Sequence, residues 1–135
     1  MATLLDQTTH QALLDNRNIL VVDDEEPIRR LLAYLLQSHG YTVDCAADAR
    51  EARQKLSDQP FALMLCDVNM PGESGMDLVR SLLSEQNHTA AIMVTGLDSS
   101  VLANAALDGG AFGYIVKPFE SNEVLIDVAN ALRRR

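Results

Sequence analysis

Acidic side chains stand where β-like runs end. Val21-Val22 leads into Asp23-Asp24, with Glu25 and Glu26 behind them, and Leu65-Cys66 leads into Asp67. Thr95-Gly96 and Lys117-Pro118 close two further apolar runs in the same way. Carboxylates about 4 Å apart at an effective dielectric near 20 repel by on the order of 4 kcal/mol per pair, so a rim of this kind calls for cations. Lys117 can supply a mobile point charge, and a hard divalent ion on oxygen ligands supplies more. Magnesium is the expected ion, because it accepts one or two carboxylates, keeps waters and leaves positions for a phosphate. Thr95 adds a hydroxyl donor beside a glycine that lets a ligand approach the backbone. A carboxylate nucleophile, a metal and fixed donors for the equatorial oxygens are the parts of phosphoryl transfer. Asp67 is the candidate nucleophile, since it follows the central apolar run and precedes a loop, Val68-Asn69-Met70-Pro71-Gly72, that can fold around it.

Singly, each of these residues has an ordinary explanation, because an Asp after a strand is most often a helix cap or a solvated loop residue. Their joint placement favours a site, since ligands of open α/β sheets bind outside the carboxyl ends of the strands. The elements that must position them are legible from Asn18 onward as five alternating βα units. The strand-like runs are Ile19-Val22, Tyr41-Cys45, Phe61-Cys66, Ala91-Val94 and Tyr114-Val116. The first, third and fourth are nearly continuous in apolar residues, as in strands covered on both faces, while the second alternates as an edge strand does. Ile28, Leu31, Leu32, Leu35 and Leu36 form one helical stripe that stops at His39-Gly40. Asp48 is expected to cap a second helix, Ser74 or Gly75 to open a third, Ser99 or Ser100 a fourth, and the fifth starts near Ser121 and ends on Arg133, Arg134 and Arg135. The fold class is therefore α/β, a doubly wound five-stranded parallel sheet with five helices.

Composition narrows the function. Eleven Lys and Arg against nineteen Asp and Glu leave a net charge of −8, so no broad cationic surface offers itself to a phosphate backbone and direct nucleic-acid binding is disfavoured. No apolar run reaches the roughly 18 residues of a membrane span, and the N-terminus lacks the basic-then-apolar order of a secretory signal, so the expected location is cytoplasmic. Cys45 and Cys66 fall inside apolar runs and are expected to be buried free thiols. His39 reads as a helix-end residue, and His10 and His88 have no partner at metal-ligand spacing. Residues 1–17 stand outside the repeating scheme as an N-terminal extension, either a frayed leader or, through Leu4, Leu5, Leu13 and Leu14, a docking helix, and residues 18–135 form the domain.

These motifs resemble those of the receiver domain of bacterial two-component response regulators. The resemblance rests on Val21-Val22-Asp23-Asp24-Glu25, on Leu65-Cys66-Asp67-Val68-Asn69-Met70-Pro71-Gly72 continuing to Ser74-Gly75, on Val94-Thr95-Gly96, and on Gly113-Tyr114-Ile115-Val116-Lys117-Pro118-Phe119. It implies a flavodoxin-like sheet of order 2-1-3-4-5, and an Asp67 that accepts a phosphoryl group from a sensor histidine kinase or phosphotransfer protein. It implies that Asp24 ligates magnesium directly, Asp23 through water, and Asn69 by its backbone carbonyl. Thr95 would donate its hydroxyl to the phosphoryl group and Lys117 would pair with it, with the Lys117-Pro118 bond cis. Tyr114 would be the aromatic switch residue that repacks as Thr95 turns, changing the face formed by helix four, strand five and helix five. Asn69 and Leu97 would tune dephosphorylation, and the small Gly96 departs from a bulkier neighbour in a way that opens the site to solvent. Such a domain is a switch controlling an output domain or downstream protein, with a possible homodimer, and no enzyme beyond its own phosphoryl transfer and autodephosphorylation.

Three other readings compete. A haloacid-dehalogenase-like phosphatase requires Asp where Asn69 stands and a nucleophile after the first strand. A flavodoxin-like cofactor domain calls for a Gly, Ser and Thr-rich phosphate cradle in place of carboxylates. A degenerate receiver would act as a phosphate-independent interaction module, against which stands the retention of all five site residues. The basic end of the last helix resembles receivers that continue into a signalling helix and an output module, including the HD-GYP-type cyclic-dinucleotide phosphodiesterases, and this is preferred to a free-standing regulator.

Overall fold

The computed structural model describes residues 17–85, 87–96 and 100–134, with the backbone alone for 100–102. Strands and helices alternate: β1 (Asn18–Val22), α1 (Glu26–Gln37), β2 (Thr42–Ala46), α2 (Ala49–Asp58), β3 (Leu63–Asp67), α3 (Gly75–Ser84), β4 (Ala90–Thr95), α4 (Ser100–Asp108), β5 (Gly113–Val116) and α5 (Ser121–Arg134). The strands pair in parallel in the order β2-β1-β3-β4-β5. The chain therefore reverses its direction of winding at β1, and the crevice above β1 and β3 opens at their carboxyl ends.

The period-two alternation of the central strands feeds two cores. Leu20, Val22, Met64, Cys66, Ala91 and Met93 face α2, α3 and α4, while Ile19, Val21, Leu63, Leu65, Ile92 and Val94 face α1 and α5. Within α1, Leu32 and Leu36 are fully buried, each contributing roughly 2 kcal/mol through removal of apolar area from water. Asp48 caps α2 by accepting the Glu51 N–H at 2.8 Å, and Ser74 caps α3 by accepting the Asp77 N–H at 3.2 Å. These caps fix where the loops end and the helices begin. Among the described residues, no helix is long and apolar enough to cross a membrane.

Two expectations need correction. Leu31 belongs to the apolar stripe of α1 by spacing, yet it is 49% exposed, because the sheet takes the opposite margin of the stripe, where Leu36 lies. Cys45 is free but only partly buried, since β2 has a single strand neighbour, whereas Cys66 on β3 is fully enclosed. Residues 1–16, with Leu4, Leu5, Leu13, Leu14 and His10, lie outside the described residues, as do Leu97, Ser99 and Arg135.

The turn from α4 into β5 depends on Gly110, whose φ of +106° is a conformation that L side chains rarely adopt. A Cβ there would also approach Leu83 Cδ1 to 2.1 Å, although that side-chain end is free to move. Gly110→Ala is expected to cost about 1–2 kcal/mol from the backbone alone, read as a lower urea midpoint with an unchanged m-value.

Candidate functional site

The last backbone hydrogen bonds of the sheet set the rim. Asp23 N–H donates to Ala46 O at 3.1 Å, Val68 N–H to Val94 O at 3.3 Å, and Lys117 N–H to Thr95 O at 2.7 Å. Asp23, Asp67 and Thr95 are thereby held at adjacent strand ends, and all three are buried. Lys117 Nζ donates to Asp23 Oδ2 at 2.8 Å and lies 3.5 Å from Asp67 Oδ2 and 4.0 Å from Glu25 Oε1. Asp23 Oδ1 accepts the Glu25 N–H at 2.9 Å, and Arg29 donates to the Asp23 carbonyl at 2.7 Å. The Lys117-Pro118 bond is cis.

Asp24 is exposed beside Asp23. Carboxylate oxygens of Asp23, Asp24 and Glu25 lie within 4.8 Å of one another, an all-oxygen donor set of the kind a hard divalent cation selects. The residues present thus fit magnesium. Glu25 enters this cluster although sequence reasoning gave it no ligand role, and its position as first residue before α1, directly after the Asp pair, is the signal that was available. Glu26 turns away to pair with Arg30.

Asp67 is enclosed by its own loop. Asn69 N–H donates to Asp67 Oδ1 at 3.2 Å, and Gly75 N–H donates to Val68 O at 3.0 Å, closing the turn. A Cβ on Gly75 would meet the Asp67 carbonyl oxygen at 2.0 Å. Only glycine lets α3 begin so close to the Asp67 backbone. Gly96 is exposed, and among the described residues a Cβ there would meet nothing within 4 Å. Tyr114 lies deeper: it pairs with Met93 across the β4–β5 ladder and packs partly buried against the α2-α3-α4 core.

Burial first, then the neighbouring Asp23 charge, push the Asp67 carboxyl up to about 6, against the pull of Lys117 and the Asn69 N–H. Burial pulls the Lys117 ammonium down, but the hydrogen bond to Asp23 and the charges of Asp23, Asp67 and Glu25 outweigh it and hold its pKa above the ordinary lysine value. Burial also raises the Cys66 thiol, which leaves it inert as a thiolate ligand or nucleophile. Because the folded-state pKa of Asp67 exceeds its ordinary 3.8, folding bears the cost of a buried charge fully above pH 6, and that cost fades between about 6 and 4. In chelating buffer, Asp67→Asn is expected to stabilise the protein by about 1–3 kcal/mol at pH 7.5 and by nothing at pH 4. Denaturant melts at the two pH values check this, and an equal gain at both contradicts it.

Comparison with known proteins agrees with this geometry. The family model of the response regulator receiver domain matches residues 19–129. A transcriptional regulatory protein of Bacillus subtilis, YkoG, is 36% identical over 121 residues, which cover 90% of this chain and 53% of that protein. The chain spans about half the length of the curated relatives it matches. Among solved structures, the response regulator TrrA of Thermotoga maritima, in complex with magnesium and beryllofluoride, superposes with a TM-score of 0.77 at 31% identity, covering 85% of this chain and 98% of that one. The beryllofluoride-activated NtrC4 receiver domain dimer gives a TM-score of 0.83 at 31% identity, covering 87% of this chain and 98% of that one. The acid rim above β1 and β3, the lysine that bridges it and the family match over nearly the whole described chain lead to one conclusion: this chain belongs to the receiver domains of two-component response regulators.

Proposed function

We propose that Asp67 is the phosphoacceptor of this receiver. One carboxylate oxygen attacks the donor phosphorus in line, the bond from phosphorus to a histidine nitrogen of the kinase or phosphotransfer protein breaks, and the imidazole leaves with the electron pair. The observation that carries this reading is a buried carboxylate at a strand end, with an ammonium at 3.5 Å and its own loop folded over it. Asp24 directly, Asp23 through water, Asp67 and the Asn69 carbonyl would hold magnesium, which when bound supplies positive charge to the transferring oxygens. Lys117 takes one phosphoryl oxygen as a charge-assisted donor, and Thr95 gives its hydroxyl to another. Both groups lie on backbone already fixed by the sheet, so little reorganisation accompanies the reaction.

The readout runs through side chains on one face. Thr95 follows Met93 by two residues on β4 and so projects by the strand period toward the side on which Tyr114 packs. When Thr95 turns to a phosphoryl group, Tyr114 gains room to repack, and the face made of α4, β5 and α5 changes its affinity for an output domain or downstream protein. Leu107 on α4 and Ile126 on α5 are about half exposed and give these helices apolar contact area. A second copy of the chain is a further partner, as in the NtrC4 receiver dimer. The cytoplasm is the compartment in which kinase, regulator and output meet, and the domain carries no enzymatic role beyond its own transfer and autodephosphorylation.

Incubation with acetyl phosphate, followed by intact mass, tests the chemistry. One phosphoryl group is expected, abolished both by chelator and by Asp67→Asn; labelling that persists without either requirement overturns the assignment, and no labelling of a folded protein by any donor favours a phosphate-independent interaction module. Tyr114→Ala is expected to leave labelling largely intact while phosphorylation no longer alters hydrogen exchange in α4. Exchange that still responds to phosphate in this variant removes Tyr114 from the switch.

A further inference from the structure

Twenty residues apart in sequence, Arg53 on α2 and Glu73 in the loop between β3 and α3 meet in a two-point pair. Arg53 Nε donates to Glu73 Oε1 at 2.8 Å and an Nη donates to Glu73 Oε2. The same guanidinium donates to Ser81 Oγ on α3 at 2.6 Å and lies 3.8 Å from Glu85 past the end of α3. The hydrogen bond from Arg53 holds the Glu73 carboxyl below its ordinary value, so the pair stays ionised over the physiological range. A planar fork of this kind fixes orientation as well as distance.

The loop it grips is the one that covers Asp67. Its base is pinned where Gly75 N–H meets Val68 O, but its tip, Pro71-Gly72, is exposed, and a cleft lies between the tip and the start of α2. Met70 packs partly buried against the core just before the tip, and beyond it the Arg53–Glu73 pair ties the exposed tip to the helix layer. Asn69, whose N–H reaches Asp67 Oδ1 and whose carbonyl faces the metal in the reading above, sits between the pinned base and the tied tip. We infer that Arg53 and Glu73 are positioning residues of the phosphoacceptor site: their pair holds the 68–74 loop closed and so sets the affinity of the site for magnesium. This inference rests on Asp67 being the phosphoacceptor.

Between Met70 and the pinned base, the tip is tied to α2 by this one pair, so losing either partner loosens it and losing both loosens it no further. In chelating buffer, Arg53→Gln and Glu73→Gln are each expected to speed hydrogen exchange of the 68–75 segment by about fivefold, the range of a well-oriented ion pair, while β1 and β4 are unchanged. The magnesium concentration that half-saturates labelling by acetyl phosphate rises by a similar factor, with the labelling rate at saturating magnesium changing far less. The double variant R53Q/E73Q matches the single variants, and Arg53→Lys, which keeps the charge and loses the fork, falls between wild type and Arg53→Gln. Unchanged loop exchange, faster exchange with wild-type magnesium dependence, or additive effects in the double variant each overturn the positioning role alone. A wild-type protein that takes no label at any magnesium concentration overturns the phosphoacceptor reading and this inference with it.

Discussion

The ammonium of Lys117 stands between two buried carboxylates, 2.8 Å from Asp23 and 3.5 Å from Asp67. At an effective dielectric near 20 these contacts are worth roughly 6 and 5 kcal/mol, while the two carboxylates, about 6 Å apart at most through the shared nitrogen, repel by roughly 3 kcal/mol or more. Without the lysine, neither acid belongs at a buried strand end. The compensation is also unequal: Lys117 lies nearer Asp23, and Asp67 remains the carboxyl whose pKa burial and its neighbour drive up to about 6. Asp24 and Glu25 add two further negative charges at the margin. Among the described residues, the Lys117 ammonium and the Arg29 guanidinium on the Asp23 carbonyl face four carboxylates, a deficit of positive charge that a hard cation on the outer oxygens would fill.

This arrangement follows from winding order. With β1 at the centre of the reversal and β3 beside it, the chain delivers Asp23 and Asp67 to adjacent strand ends, and β5 delivers Lys117 from across β4. The strands are parallel, so all these ends lie on one side of the sheet. Two cores, one on each face of the sheet, hold these strand ends in place. The α1 and α5 side packs Leu32, Leu36, Val124 and Val128 on the central strands, and the α2-α3-α4 side packs Leu78, Val79 and Leu82 there, with Met70, Met76 and Tyr114 partly buried at its margin.

Much of this was legible in residue order. Continuous apolar runs located β1, β3 and β4 because strands covered on both faces have no polar side to display, and Asp48 and Ser74 announced their helices because a side-chain oxygen is needed at each N-terminus. What the sequence could not rank was distance: Lys117 is plainly within reach of the acids, but only the fold decides that it sits closer to Asp23 than to Asp67. Leu31 was misplaced because spacing defines a stripe and not which margin of it the sheet covers. Cys45 was overburied because apolar neighbours do not reveal that β2 has one side open. The Arg53–Glu73 pair has no signature at all, since no periodicity relates a helix face to a loop twenty residues later.

The backbone at the rim is committed to the sheet, and this limits how the site can respond. Asp23, Val68 and Lys117 each spend their N–H on a neighbouring strand, so the main chain of the site cannot move without breaking ladder hydrogen bonds. Freedom is left to side chains and to the 68–74 loop. A phosphoryl dianion on Asp67 would compete with Asp23 for the one ammonium and, carrying more charge, would draw Nζ toward itself. That shift would be taken up by the flexible lysine stem, because the Lys117 N–H stays anchored on the Thr95 carbonyl at the end of β4. In the proposed switch, a small electrostatic change at the rim would thus be passed along β4 and β5 as a repacking of side chains beside Tyr114, while the sheet that defines the site stays as it is.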